Sequence, residues 1–282
     1  MNQIRKIGAY LLVSAFTACA EQTFHSPRVR FEASRCTPPS WLASTIRRFT
    51  PHCLVGNTEK AIPFAYVLSP KVASSTLRSF FKDRGREVEC DLEDPSLQKH
   101  FRFAFVRDPF ERFLSAFHEI RFRYDHNGPV QAHDKRFPTL SINSSALPAY
   151  TSIQAKNVAL LLQLVEYVTS NKVQEPHLRL QVVNFASRHV FQQRTVAFEF
   201  VGRYETFNED LSYILSVLRM ENSTEVPWHN RRQVKASKAG YFPRTKEAML
   251  DILRRHNKLW NLCRYLAPDS SCFNYTLPSG CQ

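Results

Sequence analysis

Apolar residues in this chain fall into short unbroken runs that alternate with longer segments of helical spacing. The run IPFAYVLS (62–69) is apolar without alternation, which predicts a strand buried on both faces of a parallel sheet. After the turn that follows, Leu77, Phe80 and Phe81 recur at helical spacing, and Gly85 predicts the stop. FRFAFV (101–106) repeats the strand pattern and leads directly into Asp108-Pro109, a cap residue and a first-turn proline. The helix they start has Phe110, Phe113, Leu114 and Phe117 as its apolar face. A further helix carries Ile153, Asn157, Leu160, Leu161, Leu164, Val165 and Val168 on one face. VAFEFVG (196–202) predicts a third strand, and Thr206 and Glu209 have capping-box spacing before a helix with Phe207, Leu211, Ile214, Leu215 and Leu218. One long helix is predicted from Thr245 to Leu266. Strands alternating with helices imply an α/β fold, a single domain with a mainly parallel sheet.

Two stretches lack such periodicity. Residues 21–60 read as an irregular stem, so the folded domain is expected over 61–282, and Asn127 to Ala149, rich in Pro, Ser and Asn, reads as a surface excursion. Residues 1–20 have the pattern of a targeting segment: Arg5 and Lys6, an apolar stretch from Ile7 to Ala20, and small residues at Ala18-Cys19-Ala20. That stretch is shorter than the roughly 17–25 residues of a bilayer span. A cleaved signal or a short signal-anchor is expected, with the membrane touched only through this segment if it stays uncleaved.

Cysteine usage agrees with a lumenal address. Apart from Cys19 the chain has Cys36, Cys53, Cys90, Cys263, Cys272 and Cys281, enough for three disulfides whose pairing the sequence leaves open. Sequons stand at Asn143, Asn222 and Asn274. The 282 residues, 43% of them hydrophobic, suffice for one sizeable core. A formal charge of +13 calls for an anionic partner, without choosing among nucleotide, nucleic acid, membrane surface and acidic glycan.

The turn between the first strand and its helix narrows that choice. Pro70-Lys71-Val72-Ala73-Ser74-Ser75-Thr76 puts a lysine, a small residue and three hydroxyls at a strand's carboxyl end, where a helix N-terminus offers unpaired N–H groups. Alone, it could equally be a serine-rich helix cap beside a surface lysine. The second strand end changes the balance, because Arg107 there can fork toward another phosphate. At 100° per residue, Ser115 falls within about 20° of Asp108 around the following helix. Arg107 and Ser115 could therefore meet one anion.

These two segments resemble the cofactor motifs of the Golgi carbohydrate sulfotransferases, the family of the chondroitin and dermatan 4-O-, HNK-1 and N-acetylgalactosamine 4-O-sulfotransferases. The first motif there reads approximately Pro-Lys-Val-(Gly/Ala)-Cys-(Ser/Thr)-Asn. Residues 70–76 match it, with Ser74 for Cys and Thr76 for Asn. The second, approximately Arg-(Asp/His)-Pro-Phe-Glu-Arg-Leu-Val-Ser-Ala-Phe, is matched by Arg107 to Phe117. FVGRYETFNEDLSYIL (200–215) is similar to the family's Ile-Gly-(Lys/Arg)-(Tyr/Phe)-Glu-Thr segment, and the region ending HNKLWNLCRY resembles its C-terminal part. Of the family's His-Trp-x-Pro-Gln pattern, His177-Leu178-Arg179-Leu180-Gln181 keeps only the ends. The resemblance spans roughly residues 62–266 and implies a P-loop-like sulfotransferase architecture. It also implies that residues 70–76 receive the 5′-phosphosulfate of 3′-phosphoadenylyl sulfate, the co-substrate, and that Arg107 and Ser115 receive its 3′-phosphate.

Such chemistry needs a hydroxyl nucleophile, a base and positive charge at the departing oxygen; it calls for no metal. The resemblance gives the last task to Lys71 and the base to His177, with His100 and His118 as other histidines near the motifs. Glu205 could hydrogen-bond nucleotide or acceptor, and the acid-free segment with Arg231, Arg232, Lys235, Lys238 and Arg244 reads as a basic loop for the 3′-phosphate or an acidic acceptor. The expected partner is a glycan, possibly an acidic polysaccharide such as a glycosaminoglycan, in the Golgi lumen or membrane or after secretion. A non-catalytic basic glycan-binding protein is the alternative. A phosphate-loop kinase fits less well without Gly-x-x-x-x-Gly-Lys-(Ser/Thr), and nucleic-acid binding is not expected, because the aromatics repeat at core positions.

Overall fold

The computed structural model describes residues 51–91, 94–127, 152–170, 175–185, 198–220 and 243–281. The targeting segment, most of the expected stem and of the excursion, the sequons at Asn143 and Asn222, and the basic segment up to Phe242 lie outside the described residues. Five strands form one sheet in the order β3-β1-β2-β4-β5: β1 His52–Asn57, β2 Pro63–Val67, β3 Gly85–Glu89, β4 Phe101–Val106 and β5 Phe200–Arg203. β2 pairs with β4, and β4 with β5, in parallel; β1 is antiparallel to both β2 and β3. Four of these five strands thus run the same way, and the α/β class with a mainly parallel sheet holds.

Alternate residues of the central strands face two chemically different layers. Phe64 and Tyr66 of β2 and Phe103 and Phe105 of β4 point to one side, where they meet α1 (Ser74–Phe81) and α5 (Phe207–Val217). Ring centroids of Phe64 and Phe81 lie 4.9 Å apart, and those of Phe105 and Phe207 5.0 Å apart. On the other side Ala65, Val67, Ala104 and Val106 pack beneath α2 (Pro109–Asn127), α3 (Ile153–Thr169), α6 (Lys246–Arg255) and α7 (Leu259–Cys272). Small side chains suit the face that must accept more helices, and aromatics fill the thinner layer. In β5, Gly202 is required by packing: a Cβ there would lie 2.6 Å from the Phe105 ring.

Several elements differ from the sequence reading. β1 falls inside the expected stem, so the sheet begins before residue 61. Its short HCLVGN run was masked by the prolines around it, and Cys53 is tied by a disulfide to Cys90, just past β3. Gly85 opens β3, and α1 already ends at Phe81. The expected helix 245–266 is two helices. Asn257 takes a left-handed φ of 55°, and the amides of Asn257 and Lys258 return to the carbonyls of Arg254 and Leu253, a Schellman stop. α7 then runs on to Cys272, and a second disulfide joins Cys263 to Cys281. Ile153, expected on the apolar face of α3, is 61% exposed at the first turn. In place of the capping box, the Thr206 hydroxyl donates to Asp210 Oδ2 at 2.7 Å, and the Arg203 amide donates to the same oxygen.

A buried polar link fixes the carboxyl end of β4. Gln181, the first residue of the short helix α4 (Gln181–Phe185), accepts from the Arg107 amide at 2.9 Å and donates to the Arg107 carbonyl at 2.8 Å. Its own amide and that of Val182 donate to the buried carboxylate of Asp269 on α7. Replacing Gln181 by leucine strands both backbone groups of Arg107 away from water. The expected cost is about 1–3 kcal/mol of stability, measured as a lowered urea midpoint; an unchanged midpoint would show that the link is dispensable.

Candidate active site

Because β2 and β4 are neighbouring parallel strands, the loops leaving their carboxyl ends lie side by side. The two loops present their donors differently. In the first, Lys71 and Ala73 hold left-handed φ values of 69° and 62°, on either side of the buried Val72. Non-glycine residues rarely adopt this conformation, and paired with helical neighbours it turns successive amides toward one concavity. Ala73 is the N-cap of α1 without a side-chain cap, and the first amide returned to the helix is Leu77 N–H to the Ala73 carbonyl. Residues 74–76 form the first turn of α1, so a helix N-terminus with its partial positive charge lies at the same place. Ser74 is half-buried and Ser75 exposed, whereas the Thr76 side chain is 2% exposed.

The second loop has its backbone occupied. Gln181 takes both polar groups of Arg107, and the Asp108 amide donates to Glu205 Oε1 at 2.8 Å. Asp108 Oδ1 caps α2 by accepting from the Phe110 and Glu111 amides, while Oδ2 meets Lys246 Nζ at 3.1 Å. What the loop offers an anion is therefore the Arg107 side chain. Its guanidinium lies over the Tyr204 ring at 4.5 Å and reaches Glu111 at 3.3 Å. Ser115 stands one turn beyond Glu111 on the same face, as the helical spacing predicts.

Glu111, Ser115, His118 and Glu119 form a half-buried stripe along α2 at spacings of four, three and one. The stripe connects the two loops. Lys71 Nζ lies 3.5 Å from Glu119 Oε2, and His118 Nε2 is 2.7 Å from the Pro243 carbonyl. Since a carbonyl only accepts, Nε2 carries the proton in that contact, and neutral His118 has Nδ1 as its basic nitrogen. Burial pushes His118 below the ordinary histidine range; the Pro243 carbonyl opposes this, and the nearby charges of Lys71 and Arg107 add to it.

His177 lies in the turn before α4, four residues ahead of Gln181. Its Nδ1 contacts the carboxylate of the buried Glu175, which also accepts from the His177 amide. His100 is at the far end of β4 from Arg107, about 20 Å away along a six-residue strand, and so stands apart from the loops. Glu205 is used structurally: besides the Asp108 amide, it accepts from the Tyr275 hydroxyl at 2.9 Å. Four polar groups entered without a role in the sequence reading: Arg112, Glu119, Gln181 and Asp269. Gln181 was visible as the last residue of the partial family pattern and Arg112 as a member of the second motif; Glu119 and Asp269 gave no signal beyond their neighbours.

The two neighbouring strand ends thus differ in what they present: a left-handed turn with Lys71 at one, the Arg107 guanidinium at the next. Carbohydrate sulfotransferase 12 of Mus musculus is 28% identical over 166 residues, 57% of this chain and 38% of that protein. Carbohydrate sulfotransferase 14 of Mus musculus is 26% identical over 191 residues, 65% of this chain and 44% of that protein. The chain thus spans less than half the length of these relatives. No solved structure matches it. A sequence model described as "Sulfotransferase family" matches residues 71–275, from the lysine of the first loop to the tyrosine that holds Glu205, and the chain belongs to that family.

Proposed function

We propose that this protein transfers sulfate from 3′-phosphoadenylyl sulfate to a hydroxyl of a carbohydrate, a glycosaminoglycan or related acidic glycan, in the lumen of the secretory pathway. The observation that carries this reading is the adjacency of two anion-binding loops of different construction on neighbouring parallel strands. The co-substrate, when bound, supplies the sulfuryl group and a phosphate as the leaving group. The loop of residues 70–76 holds its 5′ end through the backbone amides that follow Pro70, with the Ser74 and Ser75 hydroxyls as further donors. Arg107 and Ser115 hold the 3′-phosphate. Lys71 Nζ offsets the charge that develops on the departing oxygen, a contribution of about 3 kcal/mol for one well-placed donor.

The acceptor hydroxyl must lose its proton. We assign this to His177, and the contact of its Nδ1 with the buried Glu175 carboxylate supports the assignment. A specific observation supports His118 as a second candidate: it lies within the field of Lys71 and is kept neutral there. The mouse relatives are named for carbohydrate sulfation, which supports a sugar acceptor, and the charge of +13 favours an acidic one. The disulfides and the exposed sequon residue Asn274 suit the Golgi lumen.

Three measurements follow. Calorimetry with 3′-phosphoadenosine 5′-phosphate is expected to show binding that Lys71→Ala and Arg107→Ala each weaken at least about tenfold. No binding by folded wild-type protein would leave a non-catalytic glycan-binding protein as the better account. His177→Ala is expected to lower kcat by about 10²–10⁴ with nucleotide binding intact. If His118→Ala shows that loss and His177→Ala does not, the base is His118.

The third concerns pH. His118 in the folded chain sits below its unfolded value of about 6.5, so the unfolded chain takes the proton first. Its contribution to stability is therefore lost as pH falls below that value. In Lys71→Ala the His118 midpoint, followed by NMR, should rise because a like charge is gone; an unmoved midpoint would refute the coupling.

A further inference from the structure

Arg112 is the residue of the second motif that the chemistry of neither loop uses. It is 2% exposed and heads the fully buried side chains. A buried guanidinium is costly unless its donors are satisfied. Yet Arg112 Nη2 has no hydrogen-bond partner among the described residues. Nε donates to the Pro70 carbonyl at 3.0 Å, across from α2 to the first anion loop. Asp269, the carboxylate that receives the Gln181 and Val182 amides, lies close enough to offset part of the charge. An arginine kept at this cost has a task that a hydrophobic residue of similar volume would not perform.

The place of the bond indicates the task. In a trans peptide the carbonyl and the following N–H point in opposite directions. Holding the Pro70 carbonyl toward the buried guanidinium turns the Lys71 amide away from it. Lys71 is also where the chain enters the left-handed conformation, with φ 69°, followed by Ala73 at 62°. Such residues persist only where their surroundings over-determine them.

We propose that Arg112 is a positioning residue that sets the first anion loop from beneath: it fixes the Pro70–Lys71 peptide so that the loop is already formed when the 5′-phosphate group arrives. This rests on the function proposed above. It assigns Arg112 to the 5′ end of the nucleotide although its sequence position lies in the motif for the 3′-phosphate.

The test separates the two ends. Adenosine 5′-phosphate probes the first loop and adenosine 3′-phosphate the second, each competed against 3′-phosphoadenosine 5′-phosphate on the full chain. Arg112→Lys keeps the charge but cannot reproduce the guanidinium geometry; Arg112→Met removes the charge at similar volume. Both are expected to weaken adenosine 5′-phosphate and the bisphosphate about tenfold or more and to leave adenosine 3′-phosphate within about twofold. Arg107→Ala should show the reverse pattern. Equal weakening of both monophosphates, or of neither, while wild type binds the bisphosphate, overturns the positioning role alone. A wild type that binds no bisphosphate overturns the proposed function and this inference with it. Should neither Arg112 variant fold, the wild-type Arg112 Nε–H resonance decides: it shifts with adenosine 5′-phosphate and not with adenosine 3′-phosphate if the proposal holds, and otherwise the proposal fails.

Discussion

The constraint on which the site depends is the repulsion among its own cations. Lys71, Arg107 and Arg112 are gathered near the ends of two adjacent strands; Arg112 feels both Arg107 and Arg179, and the same field holds His118 below the ordinary histidine range. Two like unit charges about 8 Å apart cost about 2 kcal/mol at an effective dielectric of 20. The acidic residues around the site answer this cost one by one. Glu119 meets Lys71, Glu111 meets Arg107, and Asp269 faces Arg112. The acids are placed differently from the cations they serve: Glu111 and Glu119 stand on the half-buried stripe, where an incoming anion can compete with them, whereas Asp269 is fully buried. The two half-buried acids thus stand where an anion could exchange with them, and the buried one lies behind.

Much of the fold was legible because its central elements obey simple periodicities. β2 is an unbroken apolar run and β4 one interrupted only by Arg102, and α2 and α3 carry regular apolar faces. What escaped was set by tertiary context. β1 has a short run among prolines, and it becomes a strand by pairing with β2 and β3 on both sides. The break at Asn257 depends on a single residue taking a left-handed φ, which a helical pattern cannot reveal. Thr206 and Glu209 had the right spacing for a box, but Asp210 captured the hydroxyl.

The site divides along the same line. Lys71 and Arg107 could be found because each follows a buried strand, so their type and place had a common reason. Asp269 could not, since a charged residue inside a helix ordinarily reads as solvent-facing, and Arg112, though inside the second motif, gave no sign of its burial or of its bond to Pro70. Gln181 lies between these cases: a family pattern marked its position, but its bonds to the backbone of Arg107 became visible only in three dimensions. The two loops also show why one motif tolerates substitution differently from the other. In the function proposed, the first relies on backbone amides, so Ser74 and Thr76 can replace the family's Cys and Asn without removing those donors. The second relies on one side chain, Arg107, and on the residues that pin its backbone.

The disulfide between Cys53 and Cys90 spans 37 positions of the chain. β1, β2, the Lys71 loop, α1 and β3 all lie between its ends. The loop proposed to receive one end of the nucleotide is therefore enclosed in a covalent ring, while the loop proposed for the other end lies outside it. In the chain-entropy view, closing a ring of this size removes about 4 kcal/mol of unfolded-state freedom. That restriction acts on the ring and everything it carries. The two halves of the site thus belong to different mechanical units: a closed ring that keeps its ends together even when its sheet loosens, and a segment outside the ring held by the packing of α2 and by hydrogen bonds such as those of Gln181.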